Sequence, residues 1–410
     1  LAVLPSTDEP RFRLLDTIRT FSKERLSEIG EELDCGRRLV GWVSARVAAA
    51  GGRVGAGASQ FESLESDADN ARASVQWLFE HGEPDHIAEF CNSIYVWWMT
   101  LGRKSELGVW LRGVVQLELL APEVRGLGLL NLGRICAQAS AHDESVILLT
   151  QAAAHLKESD RALYCQALIT LAENHSLLGD FPAARKLMGE TRRVLRLEPG
   201  NEAMECRVRL STMYIAINEG DYENAATLAS DVLRSPIAHI WTDARVLSMS
   251  SQSEALRFQG RLVESLSVSG EAVDLARGIS NASALEFAAS QRAAAGALLR
   301  DTAVCFSAAV AALEAVEPHE RDPQAVYRLA LSVAFLADEG ASELREICES
   351  VIKEFEASVR APSLIIRERS IFGREQSTPV EELRHPAMMP MAQALHLALR
   401  NIQGVDTAPR

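Results

Sequence analysis

The sequence has little of what usually assigns a chain to a membrane, a nucleic acid or a secretory route. No apolar run reaches the roughly 18–20 residues that a membrane-spanning helix needs. Lysine and arginine number 42 against 56 aspartates and glutamates, so the formal net charge is −14. A chain this acidic repels phosphate backbones, which disfavours direct binding of nucleic acid by this segment. Residues 1–10 also lack the basic start and apolar stretch of a signal peptide.

Cysteines are few and dispersed. The seven lie at positions 35, 91, 136, 165, 206, 305 and 348, with no C-x-x-C pair. An odd, scattered set at mostly apolar helical positions predicts reduced core thiols in a cytoplasmic protein. Because an initiator methionine is missing as well, we expect the chain to be an internal segment of a larger protein.

Motifs that carry chemistry are missing too. There is no H-E-x-x-H pair, no G-x-S-x-G elbow and no cysteine in a nucleophile frame beside a histidine. The glycine-rich stretch at residues 51–59 lacks the Lys-Ser/Thr of a phosphate-binding loop and is better explained as a flexible linker. The sequence therefore predicts no enzyme, no cofactor and no metal site.

What the sequence does contain is a repeated turn. Gly179, Gly220 and Gly260 each stand between two apolar-periodic segments too long for strands, and they are 41 and 40 residues apart. A helix commonly ends on a left-handed residue, which glycine adopts without a Cβ penalty. Each glycine thus marks the turn of a helix hairpin. Such a unit exposes an apolar face unless a neighbour covers it, so the hairpins should stack.

The 40-residue spacing extends in both directions from these three turns. It indicates about seven antiparallel hairpins, so the predicted fold is an all-α, tetratricopeptide-like superhelical array. Linker helices are expected over residues 31–83, the array over 84–360, and a loop with a C-terminal capping helix over 361–410. Within the array, prolines fall at the breaks between helices, since proline cannot continue a helix interior.

An aromatic cluster precedes the repeats, in a chain that is only 6% aromatic. Tyr95, Trp97, Trp98 and Trp110 could stack on a flat ligand or a sugar. Packing at the junction between the linker helices and the first hairpin is the favoured interpretation.

Three stretches carry a resemblance to a known family. Residues 13–26 (RLLDTIRTFSKERL) resemble the motif that ends the winged-helix segment of bacterial signal-transduction NTPases, which are large transcriptional regulators. Residues 64–78 resemble the helix that joins the winged helix to the repeats in that family, and residues 98–111 are similar to its first hairpin. The resemblance implies that residues 1–30 are a winged-helix remnant. The family's nucleotide-binding module is absent from this chain.

The resemblance also implies a site and a function. In tetratricopeptide proteins, positions 2, 5, 9 and 12 of the first helix of each hairpin face a concave groove. The function expected is a sensor that binds a small inducer or a protein partner there and relays binding to the nucleotide-binding module of the parent protein. The alternatives are a stand-alone scaffold for protein–protein interaction and, third, an unrecognised helical enzyme. Exposure to solvent alone accounts equally well for polar side chains at these groove positions. The groove candidates are Asn92, Asn131, Gln138, Gln166, Glu173, Arg207, Tyr214, Glu254 and Arg257.

Overall fold

The computed structural model describes residues 2–4, 11–13, 16–51, 64–197, 200–279, 281–337, 342–374 and 388–402. Apart from one antiparallel pair of short strands, β1 (Ala2–Leu4) and β2 (Arg11–Arg13), the regular structure in these ranges is helical. The prediction of an all-α repeat array is confirmed. None of the helices described here combines the length and apolar content needed to cross a bilayer.

Three helices precede the array: α1 (Asp16–Glu28), α2 (Glu32–Gly51) and α3 (Ala68–His81). Seven hairpins follow, each with a first and a second helix, and the first helix of the first hairpin is split in two. In chain order they are α4 (Pro84–Ser93) and α5 (Tyr95–Thr100) with α6 (Lys104–Gln116); α7 (Pro122–Gln138) with α8 (His142–Leu156); α9 (Arg161–Leu177) with α10 (Phe181–Leu195); α11 (Glu202–Glu219) with α12 (Tyr222–Arg234); then, after the short α13 (Pro236–Ile240), α14 (Thr242–Phe258) with α15 (Leu262–Gly278); α16 (Ala282–Leu298) with α17 (Thr302–Ala315); and α18 (Pro323–Leu336) with α19 (Ser342–Ser358).

The turns of the first six hairpins share one backbone feature: a residue with positive φ lies just after the first helix. The three repeat glycines adopt it with φ between +76° and +88°, and Gly102 adopts it with φ +68°. Two hairpins place a non-glycine residue there, Ser140 at φ 59° and Arg300 at φ 62°. Both lie within one residue of positions that the 40-residue spacing reaches from Gly179 and Gly260. The backbone geometry of the turn is therefore the same in these repeats even where the residue is not glycine.

The hairpins form two layers around a curved axis. Each first helix packs against the first helix of the next hairpin, whereas the second helices pack mainly against the first helices that flank them. When the helices of one layer lie closer together than those of the other layer, the stack curves towards the more closely packed layer. The first helices therefore line the concave, inner side. The apolar core follows the stack as a series of clusters, as expected for a structure in which each unit buries the face of its neighbour.

The array closes on itself after about one superhelical turn. The Ser105 amide at the start of α6 donates to both carboxylate oxygens of Glu320, at 2.9 and 3.0 Å, although the two residues are 215 positions apart. Glu320 ends a short 3-10 turn (Pro318–Glu320) just before the last hairpin. Beside this pair, a Cβ on Gly102 would stand 3.4 Å from Val316. We call this contact between the first hairpin and the start of the last the seam.

Two further helices complete the ring. α20 (Pro362–Ile371) contacts α9, α11 and α18, which belong to hairpins on opposite sides of the array, so it lies inside the lumen. α21 (Met388–Ile402) packs against α17, α18 and α19 at the end of the stack, and the capping helix was expected within residues 361–410.

The aromatic cluster lies in the first hairpin. Trp97 and Trp98 are fully buried, with ring centroids 4.7 Å apart. Trp98 also packs 5.2 Å from Trp110 and donates its indole N–H to Glu106 at 3.0 Å. Rings buried to this extent have no face open to a ligand, which supports the packing interpretation.

Candidate functional site: a polar cavity inside the ring

A cavity of about 370 Å³ lies in the lumen of the ring. Its walls come from α6, α7, α8, α9, α11, α14, α16, α18 and α20, so each of the seven hairpins contributes to it. This volume is in the range of small-molecule sites, roughly 300–1,000 Å³. We call it the central cavity, and its two chemically distinct sides are described in turn.

One side, the seam wall, carries three carboxyl groups at the beginnings of inner helices. Asp243 is in the first turn of α14, Glu286 is near the start of α16, and Asp322 precedes α18 as its N-cap. Each uses one oxygen internally. Asp243 accepts from the Asn281 amide at 3.0 Å, Glu286 from the Asp322 backbone N–H at 2.9 Å, and Asp322 from the Gln324 N–H at 3.0 Å. The second oxygen of each has no hydrogen-bond partner among the described residues.

His142 completes this wall from the other side of the seam. It begins α8 and is only 2% exposed. Asn174 donates its amide to Thr170 at 2.8 Å, so its oxygen is the acceptor for His142 Nδ1–H at 2.8 Å. The proton is therefore on Nδ1 and Nε2 is a bare acceptor. That atom is buried and has no partner within the described part of the chain. Burial lowers the pKa of His142 against the opposing bond from Asn174, which favours this neutral form.

Lys104 is the cation of the seam wall. It begins α6, lines the cavity and is 7% exposed. Burial and the negative charge of Asp322 raise the pKa of Glu286 to about 8, although the charges of Lys104 and Arg321 oppose the change. Burial also raises the pKa of Asp243, partly offset by the hydrogen bond from Asn281. Glu286 is therefore mostly protonated at neutral pH.

The cavity is also lined by Arg328, Arg367 and Glu254. These side chains belong to a buried ionic network that includes Arg257 and Glu368, which lie outside the lining. Arg257 donates to both oxygens of Glu368, at 2.9 and 3.0 Å, and Arg328 donates to the same carboxylate at 2.9 Å. Arg367 donates to Glu254 at 2.8 Å. Glu368 and Arg367 belong to α20, while the other three belong to the inner helices α14 and α18. The network therefore fastens α20 to the inner layer.

Neighbouring charges of opposite sign keep the side chains of this network charged. Burial by itself would raise the pKa of Glu368, but the guanidinium groups of Arg257 and Arg328 outweigh it and hold that pKa well below its usual range. Burial likewise opposes the charged form of Arg328, yet Glu368 and Glu254 raise its pKa. Charges this deep are tolerated because they are paired and hydrogen-bonded.

Five of the nine groove candidates from the sequence line the central cavity. They are Gln138, Glu173, Arg207, Tyr214 and Glu254. Two of the five already pair with each other, because Arg207 donates to Glu173 at 3.2 Å.

The other four candidates lie outside the cavity lining. Asn131 donates to Asn92 at 2.9 Å, and Gln166 accepts from Arg134 at 2.7 Å, so these side chains link neighbouring inner helices. Arg257, expected to face an open groove, is 1% exposed and covered by α20. Nothing in the sequence predicted that a helix would fill the groove beside Arg257.

The seam-wall residues were missed for a geometric reason. Fixed helix positions assume that each inner helix meets the groove at the same level. Here the cavity is lined by the end of α9, at Glu173 and Asn174, and by the start of α16, at Ser283 and Glu286. Successive inner helices are shifted along their axes by the superhelical rise. The signal available in the sequence was the acidic residue at the start of several first helices, which is ordinarily explained as capping.

Other chemistry is sparse. In the ranges the structure describes, no group of three or more His, Cys, Asp or Glu side chains is placed to hold a metal ion. Six of the seven cysteines are buried and Cys35 is exposed. Burial raises the pKa of the Cys91, Cys136, Cys305 and Cys348 thiols to about 12, which leaves them protonated and unreactive at neutral pH.

No protein-family model matches the chain, and no curated protein matches it either. The class of molecule is therefore defined by its own geometry: an all-α helical repeat array, closed into a ring around a polar cavity.

Proposed function

We propose that this chain is the ligand-sensing and protein-binding repeat region of a multidomain transcriptional regulator, which relays binding to a nucleotide switch outside the chain. The central cavity carries the proposal. Its lining comes from hairpins along the whole array, so a bound ligand contacts many units at once and biases the curvature of the ring. A ligand can act as a signal only when it distinguishes two arrangements, and the closure at the seam supplies such an element.

The N-terminal helix supports an attachment to another module. On α1, Ile18 is 40% exposed and Phe21 is 66% exposed, although the sequence marks both as part of an apolar stripe. Together with the motif in residues 13–26, this favours a parent protein in which α1 packs against the nucleotide-binding module. The basic residues near this helix would then face that module rather than DNA.

The test is thermal unfolding of the chain with fractionated cell extract. A ligand at 100 times its Kd stabilises the folded state by about 2.7 kcal/mol, which raises the Tm measurably. Ser283→Phe, which places a ring in the cavity, should abolish the shift. Ser267→Phe, at an exposed position on α15, should keep it. The same chain should show neither ATP hydrolysis nor duplex DNA binding, and either activity at physiological salt would contradict the proposal.

A stand-alone scaffold is the second candidate. Val109 on α6 and Ile147 on α8 are 68% and 60% exposed on consecutive outer helices, and apolar residues outside a core can mark a protein contact. A stable partner recovered by pull-down, together with no extract-dependent change in Tm, would favour this function over sensing.

A further inference from the structure

A pocket of about 250 Å³ lies on the outer side of the ring, in the cleft between α15 and α17, the second helices of the fifth and sixth hairpins. Both helices pack on α16, whose side chains form the floor of the cleft. The polar side chains in the lining are Asp274 and Arg277 from α15, Arg292 from α16 and Ser307 from α17. We call it the outer pocket. It shares no lining residue with the central cavity.

Arg292 extends into the outer pocket because Gly270, on α15, has no side chain. A Cβ at Gly270 would collide with Nη1 of Arg292. That nitrogen donates to the backbone oxygen of Leu266, one turn before the glycine, at 3.1 Å. Glycine inside a helix costs roughly 0.5–1 kcal/mol relative to alanine. α15 thus carries a destabilising residue at the point where it makes room for a guanidinium group.

The hydrogen-bond donors of the outer pocket are largely uncommitted. Within the described ranges, Arg292 forms no ion pair with a carboxylate, and its hydrogen bond goes to the Leu266 oxygen. Arg277 lies 3.8 Å from Asp274, and the two side chains are 56% and 82% exposed. A pair this exposed contributes about 0–1 kcal/mol, so Arg277 can turn to another anion at little cost. The exposed hydroxyl of Ser307 makes no hydrogen bond in the described part of the chain.

The charge of the outer pocket is positive, although the chain as a whole carries −14. Its ionisable lining residues are Asp274, Arg277 and Arg292, so two positive charges face one negative charge. The nearest carboxylates along α15 and α17 do not line the pocket: these are the exposed Glu264, Glu271 and Glu314. Glu264 pairs with Arg261, and Glu314 pairs with His396 and Arg400. The outer pocket is therefore suited to an anion.

We propose that the outer pocket binds a phosphate group, carried by a small molecule or as the free anion, with Arg292, Arg277 and Ser307 as its donors. Guanidinium groups pair with phosphate through charge-assisted hydrogen bonds. A phosphate monoester is mostly dianionic at pH 7.5, since its second pKa is about 6, and this charge matches two guanidinium groups. A planar, singly charged carboxylate is satisfied by one guanidinium, whereas a tetrahedral anion accepts hydrogen bonds from donors on three helices.

The size of the outer pocket favours a phosphate with a short organic group. The pocket has about 250 Å³, whereas one water takes up roughly 30 Å³ of liquid volume. Val273 and Ala311 line it beside the charged groups and offer apolar contact to such a substituent. A ligand held there would connect α15 to α17, which otherwise pack on α16. This site goes beyond the sensing function proposed above and does not depend on it.

Saturation-transfer difference NMR with matched probes tests the ligand class at pH 7.5. Ethyl phosphate, propionate and 1-propanol each carry a two-carbon chain, so their ethyl protons report binding in the same way. We expect ethyl phosphate to bind at least tenfold more tightly than propionate and 1-propanol to show no transfer. Inorganic phosphate, added as a competitor, distinguishes the two sources. A weaker competitor than ethyl phosphate indicates a phosphorylated small molecule, and an equal or stronger one indicates the free anion.

Four substitutions locate the binding site. Arg292→Gln should abolish ethyl phosphate binding, and Arg277→Gln should weaken it about tenfold. Gly270→Ala should also weaken it about tenfold, because the new methyl group displaces the Arg292 guanidinium. Its Tm should stay unchanged or rise, since alanine is favoured over glycine in a helix. Asp274→Asn should tighten binding several-fold, because it removes the negative charge and releases Arg277.

Arg234→Gln is the matched control. Arg234 forms an exposed pair with Asp231, three residues earlier on α12, as Arg277 does with Asp274 on α15. The control should leave ethyl phosphate binding unchanged. Propionate binding as tightly as ethyl phosphate would overturn the phosphate class. Ethyl phosphate binding that is unaffected by both Arg277→Gln and Gly270→Ala would place the anion elsewhere and overturn the site, and this result stands even if Arg292→Gln fails to fold.

Discussion

Glu368 is the residue on which the interior of the ring most depends. Its carboxylate receives three hydrogen bonds from Arg257 and Arg328, and the side chains of Glu368 and Arg257 are fully buried. Removing one partner from such a cluster leaves uncompensated charge, which generally costs more than the pair contributed. The network thus makes the position of α20 sensitive to a single side chain.

We predict that Glu368→Gln lowers the free energy of unfolding by about 3–5 kcal/mol, because two buried guanidinium groups lose their counter-ion. The measurement is equilibrium unfolding in urea. Glu264→Gln, which breaks the exposed pair between Glu264 and Arg261, should cost less than about 1 kcal/mol. Equal effects of the two substitutions would show that the network does not hold the fold together.

The same carboxylate gives this prediction a pH dependence with a definite sign. The folded-state pKa of Glu368 is depressed below its usual 4.5, so the folded protein binds its proton less readily than the unfolded chain. Its stabilisation is fully present above about pH 4.5 and is lost as the pH falls towards the folded-state pKa. The difference in stability between the wild type and Glu368→Gln should therefore be constant from pH 5 to pH 7 and shrink below pH 4.5.

At the scale of elements, α20 is unusual because this ten-residue helix lies in the lumen of the array and not in one of its two layers. It combines the ionic network with apolar contacts. Leu364 is 1% exposed and lies in the largest apolar cluster, whereas Ile366, two residues later, is 69% exposed. The two faces of one short helix thus offer a matched pair of substitutions.

We predict that Leu364→Ala destabilises the protein by about 2–5 kcal/mol, the range for truncating a buried aliphatic side chain. Ile366→Ala should change stability by no more than about 0.5 kcal/mol, as expected at an exposed position. Thermal or urea unfolding of both variants decides the matter. A large effect of Ile366→Ala with a small effect of Leu364→Ala would mean that α20 docks through its other face.

The helices and turns also show which features of the fold were predictable from the sequence. The hairpin turns were predictable because helix termination by a left-handed residue depends on local backbone sterics, and these act the same way in each repeat. Placing α20 required knowledge of what fills the lumen, and nothing local to residues 362–371 specifies that. The seam wall was out of reach for a similar reason. Asp243, Glu286 and Asp322 line the same cavity only because the superhelical rise shifts helices that are about 40 residues apart in sequence.

At the scale of the whole molecule, the seam converts an open stack into a ring. A linear repeat array has only neighbour contacts and can bend along its length. The bonds from the Ser105 amide to Glu320 add a contact between units that are far apart in sequence, and Glu320 is only 2% exposed. Glu320 therefore couples the two ends of the array at the seam, and its removal should loosen that contact without unfolding the hairpins.

We predict that Glu320→Ala accelerates amide hydrogen exchange at Ser105 by roughly tenfold or more, because the amide loses both acceptors. Exchange at Leu210, in the middle of α11 and across the ring from the seam, should stay unchanged. Glu320→Gln keeps an acceptor oxygen and should show a smaller effect. Equal acceleration at Ser105 and Leu210 would instead indicate global destabilisation. Since the seam wall takes residues from both sides of this contact, opening it separates His142 from Glu286 and Asp322. The same variant should therefore reduce the rise in Tm that cell extract produces, while each hairpin remains folded.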